Sequence, residues 1–444
     1  MALAQKLKSR YLRSSALGVC TRCLSVGYRL LAVPISVQLL TKSGYGAWLL
    51  MLNLVGWLAF SDLGLPLALQ KALTLAHGRG DTEQWTKLFK FGWTILCASA
   101  VIIIPVALAA IWLLPIASFL RIEPKLETDF LLCVSICAVS LAISIPLRIG
   151  GVLSYASGLL EVPALTEFLG IFCSLIALGI LWAFKFHSLT AFAICLQIPP
   201  TIVSAIAFGV VLRRLGLRLG FLLLDGPETR EFLHLGSWYL LTTLGELLVL
   251  QTDGVLISAK FGPEMVPVFA IPMILFFQFL QFQNAFLRPL YPRFAHEQHL
   301  GNRPALRTFV TRCCGLSALA GLVAGLCLCL FGNWFITLWT HGNFHLPNTM
   351  AWGLVLLLFV TSIGNVLGAY ANAIGVPRAR FVGILVYGLV KVATVWMLVE
   401  PLGINCMPYL LAITGLVTDM PVLLWIFFRT TRPAPEPAPA AVSA

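Results

Sequence analysis

The sequence predicts an all-α integral membrane protein with twelve transmembrane helices arranged as two pseudo-symmetric six-helix bundles. Hydrophobic residues make up 59% of the 444 positions, only 11% of residues are charged, and mean hydropathy is +0.92. A helix of about 20 apolar residues crosses the hydrocarbon core and satisfies its own backbone groups there. The predicted spans are 15–40, 45–70, 88–118, 130–157, 162–184, 188–212, 233–258, 266–290, 308–338, 349–374, 380–399 and 404–428.

The distribution of Lys and Arg orients these spans. Cytoplasmic connections of membrane proteins are enriched in both residues. With a cytoplasmic N-terminus, most of the 30 Lys and Arg fall on the cytoplasmic side, whereas the outer connections hold only Lys42, Arg121, Lys125, Lys185 and Lys260. The net charge of +12 therefore indicates topology, and nucleic-acid binding is not expected. Both termini are predicted to be cytoplasmic: a basic N-terminus over 1–14, and a disordered Pro/Ala-rich tail over 429–444.

Short segments recur in the two halves of the chain. The pairs are Lys42-Ser43-Gly44 with Lys260-Phe261-Gly262, Tyr155–Gly158 with Asn372–Gly375, and Lys87-Leu88-Phe89 with Arg307-Thr308-Phe309. Their separation is nearly constant at about 218 residues, which indicates an internal duplication. The sequence thus predicts an N-terminal bundle over 15–212, a cytoplasmic linker over 213–232 and a C-terminal bundle over 233–428. Parallel repeats of this kind are typical of transporters with a substrate path between the halves.

Charged residues inside the N-terminal spans predict a site for an anion. The charges assigned to it are Arg22, Arg29, Asp62 and Arg148, whereas Glu167, in the first third of span five, is not assigned to this site. A charge at mid-bilayer costs roughly 2.5–3.5 kcal/mol on insertion scales, so it is retained beside a partner or a wet cavity. Arg29, Asp62 and Arg148 fall at a similar depth, and the planar fork of arginine suits phosphate oxygens. In the alternative interpretation Arg29 pairs with Asp62 or Glu246 between helices, or Asp62 caps a loop.

Charged residues in the C-terminal spans predict an ion-coupling site. Glu246 and Asp253 are seven residues apart in span seven, which places them on one helix face. Lys391 lies in span eleven and Asp419 in span twelve. Desolvated carboxylates at membrane depth can bind H⁺ or Na⁺. The alternative is a set of static pairs, with Lys391 beside Glu246 or Asp419.

Motifs of several other protein classes are absent from the sequence. It contains no G-x-x-x-x-G-K-[ST], H-E-x-x-H or G-x-S-x-G pattern. His341 and His345 lack a third ligand nearby, and Cys20 and Cys23 form a C-x-x-C without a second pair. We therefore expect neither an enzyme nor a cofactor or metal, apart from H⁺ or Na⁺ as a coupling ion.

Four short segments resemble a known family. They are Ser43–Trp48 (S-G-Y-G-A-W), Ser61–Leu65 (S-D-L-G-L), Gln251–Ser258 (Q-T-D-G-V-L-I-S) and Glu400–Gly403 (E-P-L-G). Together with the twelve spans they resemble the polysaccharide transport family of Wzx-type O-antigen and exopolysaccharide flippases. That family belongs to the multidrug/oligosaccharidyl-lipid/polysaccharide exporter superfamily. The resemblance covers about residues 10–428.

The resemblance implies a V-shaped pair of bundles in the bacterial inner membrane. The implied function is transfer of an undecaprenyl-pyrophosphate-linked oligosaccharide, an O-antigen or exopolysaccharide repeat unit, from the cytoplasmic to the periplasmic leaflet by alternating access. Cationic cavity residues are usual in this family, which agrees with Arg22, Arg29 and Arg148. The implied partners are the lipid-linked oligosaccharide, membrane lipid, a polysaccharide polymerase and a chain-length regulator.

Two alternative functions remain open from the sequence. The first is an ion-coupled multidrug antiporter of the same superfamily, against which the surplus of arginine in the N-terminal half argues. The second is a membrane polysaccharide polymerase. It is less expected, because such enzymes carry a large outer loop and this chain has none among its connections.

Overall fold

The computed structural model describes residues 2–58, 65–159, 161–222, 241, 243–300, 303–374 and 376–431. Every regular element in these ranges is an α-helix or a short 3-10 helix, which confirms the predicted all-α class. The predicted site residue Asp62 lies outside the described residues.

The helices of the first part of the chain follow one another with short connections. They are α1 Ala2–Leu39, α2 Lys42–Leu58, α3 Leu65–Gly78, α4 Thr82–Leu113, α5 Ile116–Phe119, α6 Pro124–Leu147, α7 Ile149–Ala156, α8 Glu161–Ala183, α9 Leu189–Leu215, α10 over 243–250 and α11 Asp253–Phe261. The helices of the second part are α12 Val266–Leu287, α13 Tyr291–His299, α14 Arg303–Trp339, α15 Asn348–Ala373, α16 Pro377–Leu402, α17 Met407–Val417 and α18 Asp419–Thr431. Helix α1 begins well before the predicted span 15–40, and α18 continues into the predicted tail 429–444.

Nine helical segments within the described ranges are long and apolar enough to cross a membrane. They coincide with predicted spans three to six and eight to twelve, so the chain is a multi-pass membrane protein. Of the other three predicted spans, 15–40 lies within α1 and its short continuation. The spans 45–70 and 233–258 include residues outside the described part of the chain.

The chain forms two compact units. Unit 1 comprises residues 1–270 and 337–344, and unit 2 comprises residues 271–336 and 345–444. Inside unit 1, α9 packs against both α6 and α8, and α8 packs against α1. Inside unit 2, α17 packs against both α15 and α16. The predicted linker over 213–232 falls partly outside the described residues and stays a prediction.

Segments that the internal repeat pairs with each other meet inside unit 1. A Cβ atom on Gly46 of α2 would overlap the carbonyl oxygen of Pro263, which follows α11. A Cβ atom on Gly254 of α11 would likewise overlap the side-chain amide of Asn53 on α2. Glycine is therefore needed at both positions for the close approach of α2 to α11 and to Pro263.

The start of α9 is fixed by a carboxylate from another helix. Asp129, in the second turn of α6, accepts hydrogen bonds from Ser188 Oγ at 2.9 Å, Leu189 N at 2.7 Å and Thr190 N at 3.1 Å, and also from the Thr190 hydroxyl. The first backbone N–H groups of a helix have no intrahelical acceptor. Asp129 supplies acceptors for two of them and ties α6 to α9.

Candidate functional site

A cavity of about 510 Å³ lies inside unit 1 between α1, the α6–α7 junction, α8 and α9. Its volume is in the ordinary range for ligand pockets, roughly 300–1,000 Å³. The polar groups of its lining are Tyr28, Ser144, Arg148, Ser154, Thr166, Glu167, Ser174 and Ser204. The rest of the lining is apolar or glycine. We refer to this space as the unit-1 cavity.

Arg148 reaches this cavity from a break between two helices. Helix α6 ends at Leu147 and α7 begins at Ile149, so the predicted span 130–157 is present as one membrane-crossing segment with a one-residue interruption at Arg148. The Arg148 backbone N–H is shared between the carbonyl oxygens of Ser144 and Ile145, each at 3.2 Å. Pro146 is the physical cause, because it lacks an N–H donor and its ring crowds the preceding turn.

Five hydroxyl groups give the cavity hydrogen-bond acceptors. Each donates its proton to the backbone carbonyl four residues earlier in its own helix, at distances between 2.7 and 3.0 Å, in Ser144, Ser154, Thr166, Ser174 and Ser204. A hydroxyl bonded in this way keeps its oxygen lone pairs as acceptors. The wall therefore suits a ligand that carries its own hydroxyl or amide donors.

Glu167 is a second charged residue in the lining, and the sequence analysis did not assign it to the site. Its side chain is exposed on α8. The available signal was its position in the first third of predicted span five. Because Arg148 and Glu167 both line the cavity, the cavity presents both a cation and an anion.

The other predicted members of the anion site are not gathered here. Arg22 and Arg29 are exposed on α1 and are not among the described residues that line the cavity, whereas their neighbour Tyr28 is. Depth along a span can be read from sequence, but the direction of a side chain around the helix depends on packing. The roles predicted for Arg22, Arg29 and Asp62 stay predictions.

The predicted ion-coupling residues are divided between the two units. Glu246 is exposed on α10, and Asp253 is the first residue of α11; both belong to unit 1. The chain bends at Gln251 and Thr252, so seven-residue spacing alone does not place the two carboxylates on one helix face. Lys391, on α16 of unit 2, is only 1% exposed.

Asp419 is engaged by Arg380, the first residue of predicted span 380–399. Arg380 Nη1 donates to both carboxylate oxygens of Asp419, at 2.8 and 2.9 Å. Two glycines make room for this pair: a Cβ on Gly368 would lie 3.3 Å from the guanidinium, and one on Gly383 would lie 3.0 Å from Asp419 Oδ1. A coupling role for Asp419 requires this ion pair to open, and it stays a prediction.

No group of three or more His, Cys, Asp and Glu side chains in the described ranges is arranged to hold a metal ion. The polar chemistry of the unit-1 cavity is therefore that of Arg148, Glu167, Tyr28 and the hydroxyl groups.

No protein-family model and no curated protein sequence matches this chain. Solved structures do match its fold. A multidrug resistance MATE family transporter of the MOP superfamily, in an inward-facing conformation, aligns with a TM-score of 0.77 at 15% identity, covering 91% of this chain and 94% of its own. A MOP superfamily transporter from Pyrococcus furiosus, described with a binding pocket of reverse polarity, aligns at 0.68 and 15% identity, covering 96% of both chains.

A variant of the Vibrio cholerae MATE transporter VcmN aligns with a TM-score of 0.62 at 16% identity, covering 97% of this chain and 98% of its own. These alignments extend over nearly the whole chain. They confirm that this multi-pass protein has the exporter fold found in MATE family transporters of the MOP superfamily.

Proposed function

We propose that this protein is a flippase that moves an anionic, lipid-linked oligosaccharide from the cytoplasmic to the periplasmic leaflet by alternating access. The observation that carries the proposal is the unit-1 cavity, where Arg148 and a wall of hydroxyl oxygens line one space. The fold supports transport, because proteins of this fold include MATE family transporters in inward-facing and outward-facing conformations.

Different groups in and around the cavity suit different parts of the proposed substrate. The guanidinium of Arg148 binds two oxygens of a pyrophosphate through its planar fork. The hydroxyl oxygens of Ser144, Thr166 and Ser204, which are partly exposed in the cavity wall, accept hydrogen bonds from the first sugar. The polyprenyl tail stays in the bilayer, because its transfer into a polar cavity is unfavourable.

Pocket polarity supports an anionic substrate within this fold. The Pyrococcus furiosus transporter is described with a pocket of reverse polarity that suggests a different function. On this scaffold the polarity of the pocket is therefore linked to function, and in this chain Arg148 supplies a positive charge. The resemblance to polysaccharide flippases leads us to propose the lipid-linked glycan, with a polymerase and a chain-length regulator as later partners.

The proposed function is tested by deletion of the gene in its host. We expect lipid-linked oligosaccharide to accumulate on the cytoplasmic leaflet and surface polysaccharide to be lost, with both restored by the wild-type chain. Intact surface polysaccharide in the deletion strain would refute the proposal.

Glu167 favours a second candidate function, an ion-coupled multidrug antiporter. An exposed carboxylate in the unit-1 cavity would attract a cationic drug, as Arg148 would attract an anion. Under this alternative, Glu167→Gln raises drug sensitivity while surface polysaccharide is unchanged. Under the flippase proposal, Arg148→Ala has the larger effect and drug sensitivity does not change.

We also propose that Glu246 or Asp253 binds the coupling ion, H⁺ or Na⁺. Carboxylates within a membrane protein can exchange such ions when water reaches them. Glu246→Gln and Lys391→Met, made singly and together, test this proposal. Two inactive single variants and an active double variant would instead indicate that the charges serve as a static pair.

A further inference from the structure

Helix α12 of unit 2 carries a concentration of uncharged amides inside an apolar span. Gln278, Gln281, Gln283 and Asn284 lie within the segment Q-F-L-Q-F-Q-N. Residue 278 is at the middle of predicted span 266–290. Amides at this depth are costly in lipid, so each requires a hydrogen-bonding partner in the protein or in water.

Two of these amides hold α12 against α15. Gln283 Nε2 donates to the carbonyl oxygen of Ser362 at 2.9 Å. Asn365 Nδ2 donates to Gln283 Oε1 and to Asn284 Oδ1, each at 3.0 Å. This network is structural and fixes the rotation of α12, because a turn of the helix would break all three bonds.

The opposite side of α12 is open. Gln281 is exposed, and Phe282 and Phe286 are 70% and 68% exposed, with ring centroids 5.8 Å apart. Gln278 lies one turn before Gln281 and Phe282 and is half-buried. These four residues share one helix face by their spacing of three and four positions. We refer to them as the amide–aromatic face.

The amide–aromatic face has the properties of a surface in contact with water. If it faced lipid, the primary amide of Gln281 would lie in hydrocarbon. On α14, Leu330, Phe331 and Trp334 are uncharged and 62–73% exposed, and the exposed amide beside them, Asn333, has its Oδ1 engaged by the Leu346 N–H at 3.0 Å. The amide of Gln281 therefore indicates that water reaches α12.

We propose that the amide–aromatic face is a subsite for an uncharged sugar ring of the lipid-linked substrate, an inference that rests on the proposed function. A primary amide both donates and accepts, which matches neighbouring hydroxyls of a sugar. An exposed phenyl ring packs against the apolar C–H face of a pyranose. The four residues are uncharged, so this face suits a neutral sugar ring and not the pyrophosphate.

The test compares two lipids that differ only in the glycan. The probes are the lipid-linked oligosaccharide extracted from the deletion strain and undecaprenyl pyrophosphate. Their Kd values are measured with the purified full-length protein in nanodiscs. We expect wild type to bind the glycan-bearing lipid about tenfold or more tightly than the bare lipid, which corresponds to about 1.4 kcal/mol.

Gln281→Leu removes the amide at similar size, and Phe282→Leu removes the ring but keeps the apolar character. Each is expected to lower affinity for the glycan-bearing lipid about tenfold and to leave the Kd of undecaprenyl pyrophosphate unchanged. Phe331→Leu makes the same substitution at an exposed phenylalanine of α14 and should change neither Kd.

The outcomes separate this inference from the proposed function. The sugar subsite is overturned if wild type binds the two lipids with equal affinity. It is also overturned if the Gln281 and Phe282 variants weaken binding of both lipids alike, or of neither. In these cases Arg148→Ala still weakens binding of both lipids, so the proposed function stands. If the deletion strain accumulates no lipid-linked oligosaccharide, or if wild type binds neither lipid, the flippase proposal fails and the subsite fails with it.

Discussion

Arg380 Nη1 contacts both carboxylate oxygens of Asp419, and the two side chains are only 19% and 18% exposed. Arg380 lies in the first turns of α16, and Asp419 begins α18 after the break at Thr418. The pair therefore joins two helices of unit 2 at a point where one of them is interrupted. Partly desolvated charge pairs of this kind lose most when only one partner is removed.

We expect Asp419→Leu to lower the free energy of unfolding by about 2 kcal/mol, because it leaves the Arg380 guanidinium without its carboxylate. Arg380→Met combined with Asp419→Leu should be more stable than Asp419→Leu alone, because the double variant leaves no unpaired charge. Thermal unfolding in detergent measures both effects. A single variant as stable as wild type would show that the pair contributes nothing to stability.

Substitutions of Arg148 test whether transport needs only its positive charge or also its planar guanidinium. Arg148→Lys keeps the positive charge but loses the planar fork, so we expect transport to fall about tenfold. Arg148→Ala should lose nearly all transport. Arg29→Ala should lose less than Arg148→Ala, because Arg29 does not line the unit-1 cavity. The measurement is restoration of surface polysaccharide in the deletion strain, with membrane levels of each variant matched. The reverse order of the two alanine variants would place the anion site on α1.

A side chain at Gly151 should obstruct the unit-1 cavity without unfolding the protein. Gly151 lines the cavity, and a Cβ atom there would meet no atom within 4 Å. We expect Gly151→Leu to reduce transport about tenfold or more while thermal stability is retained, since helical Gly is disfavoured relative to other residues. Gly209→Leu on α9 is the matched control, because its Cβ also enters open space but Gly209 does not line the cavity. Equal transport by the two variants would argue against substrate passage through this space.

Loss of the Asp129 carboxylate should destabilise unit 1. Asp129→Ala leaves the first N–H groups of α9 without their acceptor, so we expect a loss of about 2 kcal/mol in the free energy of unfolding. Asp129→Asn keeps one acceptor oxygen and should be intermediate. Glu127→Ala, at an exposed residue of the same helix, should leave the unfolding temperature unchanged. If Asp129→Ala unfolds at the wild-type temperature, this cap does not stabilise the fold.

Reporter fusions should give the membrane orientation predicted from the Lys and Arg distribution. We expect fusions at Gly80, Leu300 and the C-terminus to report the cytoplasm, and fusions near Lys125 and Asn343 to report the periplasm. An active periplasmic reporter at the C-terminus would require an odd number of spans and a revised count for residues 233–258.

The helical class and most of the membrane spans could be predicted because hydrophobic length is a local property. Nine of the predicted spans recur as apolar helices within the described residues, including the long helices over Thr82–Leu113 and Arg303–Trp339. Breaks inside spans were harder to place. A proline such as Pro146 permits a kink, but whether a helix bends or ends there depends on the neighbours packed around it, as at Arg148 and Thr418.

By itself, the sequence determined that this chain crosses the membrane several times as apolar helices, and which charges lie within those segments. It did so because insertion energies are summed along one segment at a time. Only the tertiary structure decided which of those charges share a space. Arg148 lines a cavity with Glu167, Asp419 binds Arg380, and Gln281 lies on an open face while Gln283 is buried. Each outcome depends on the rotation of a helix about its axis, which is set by contacts between residues distant in the chain.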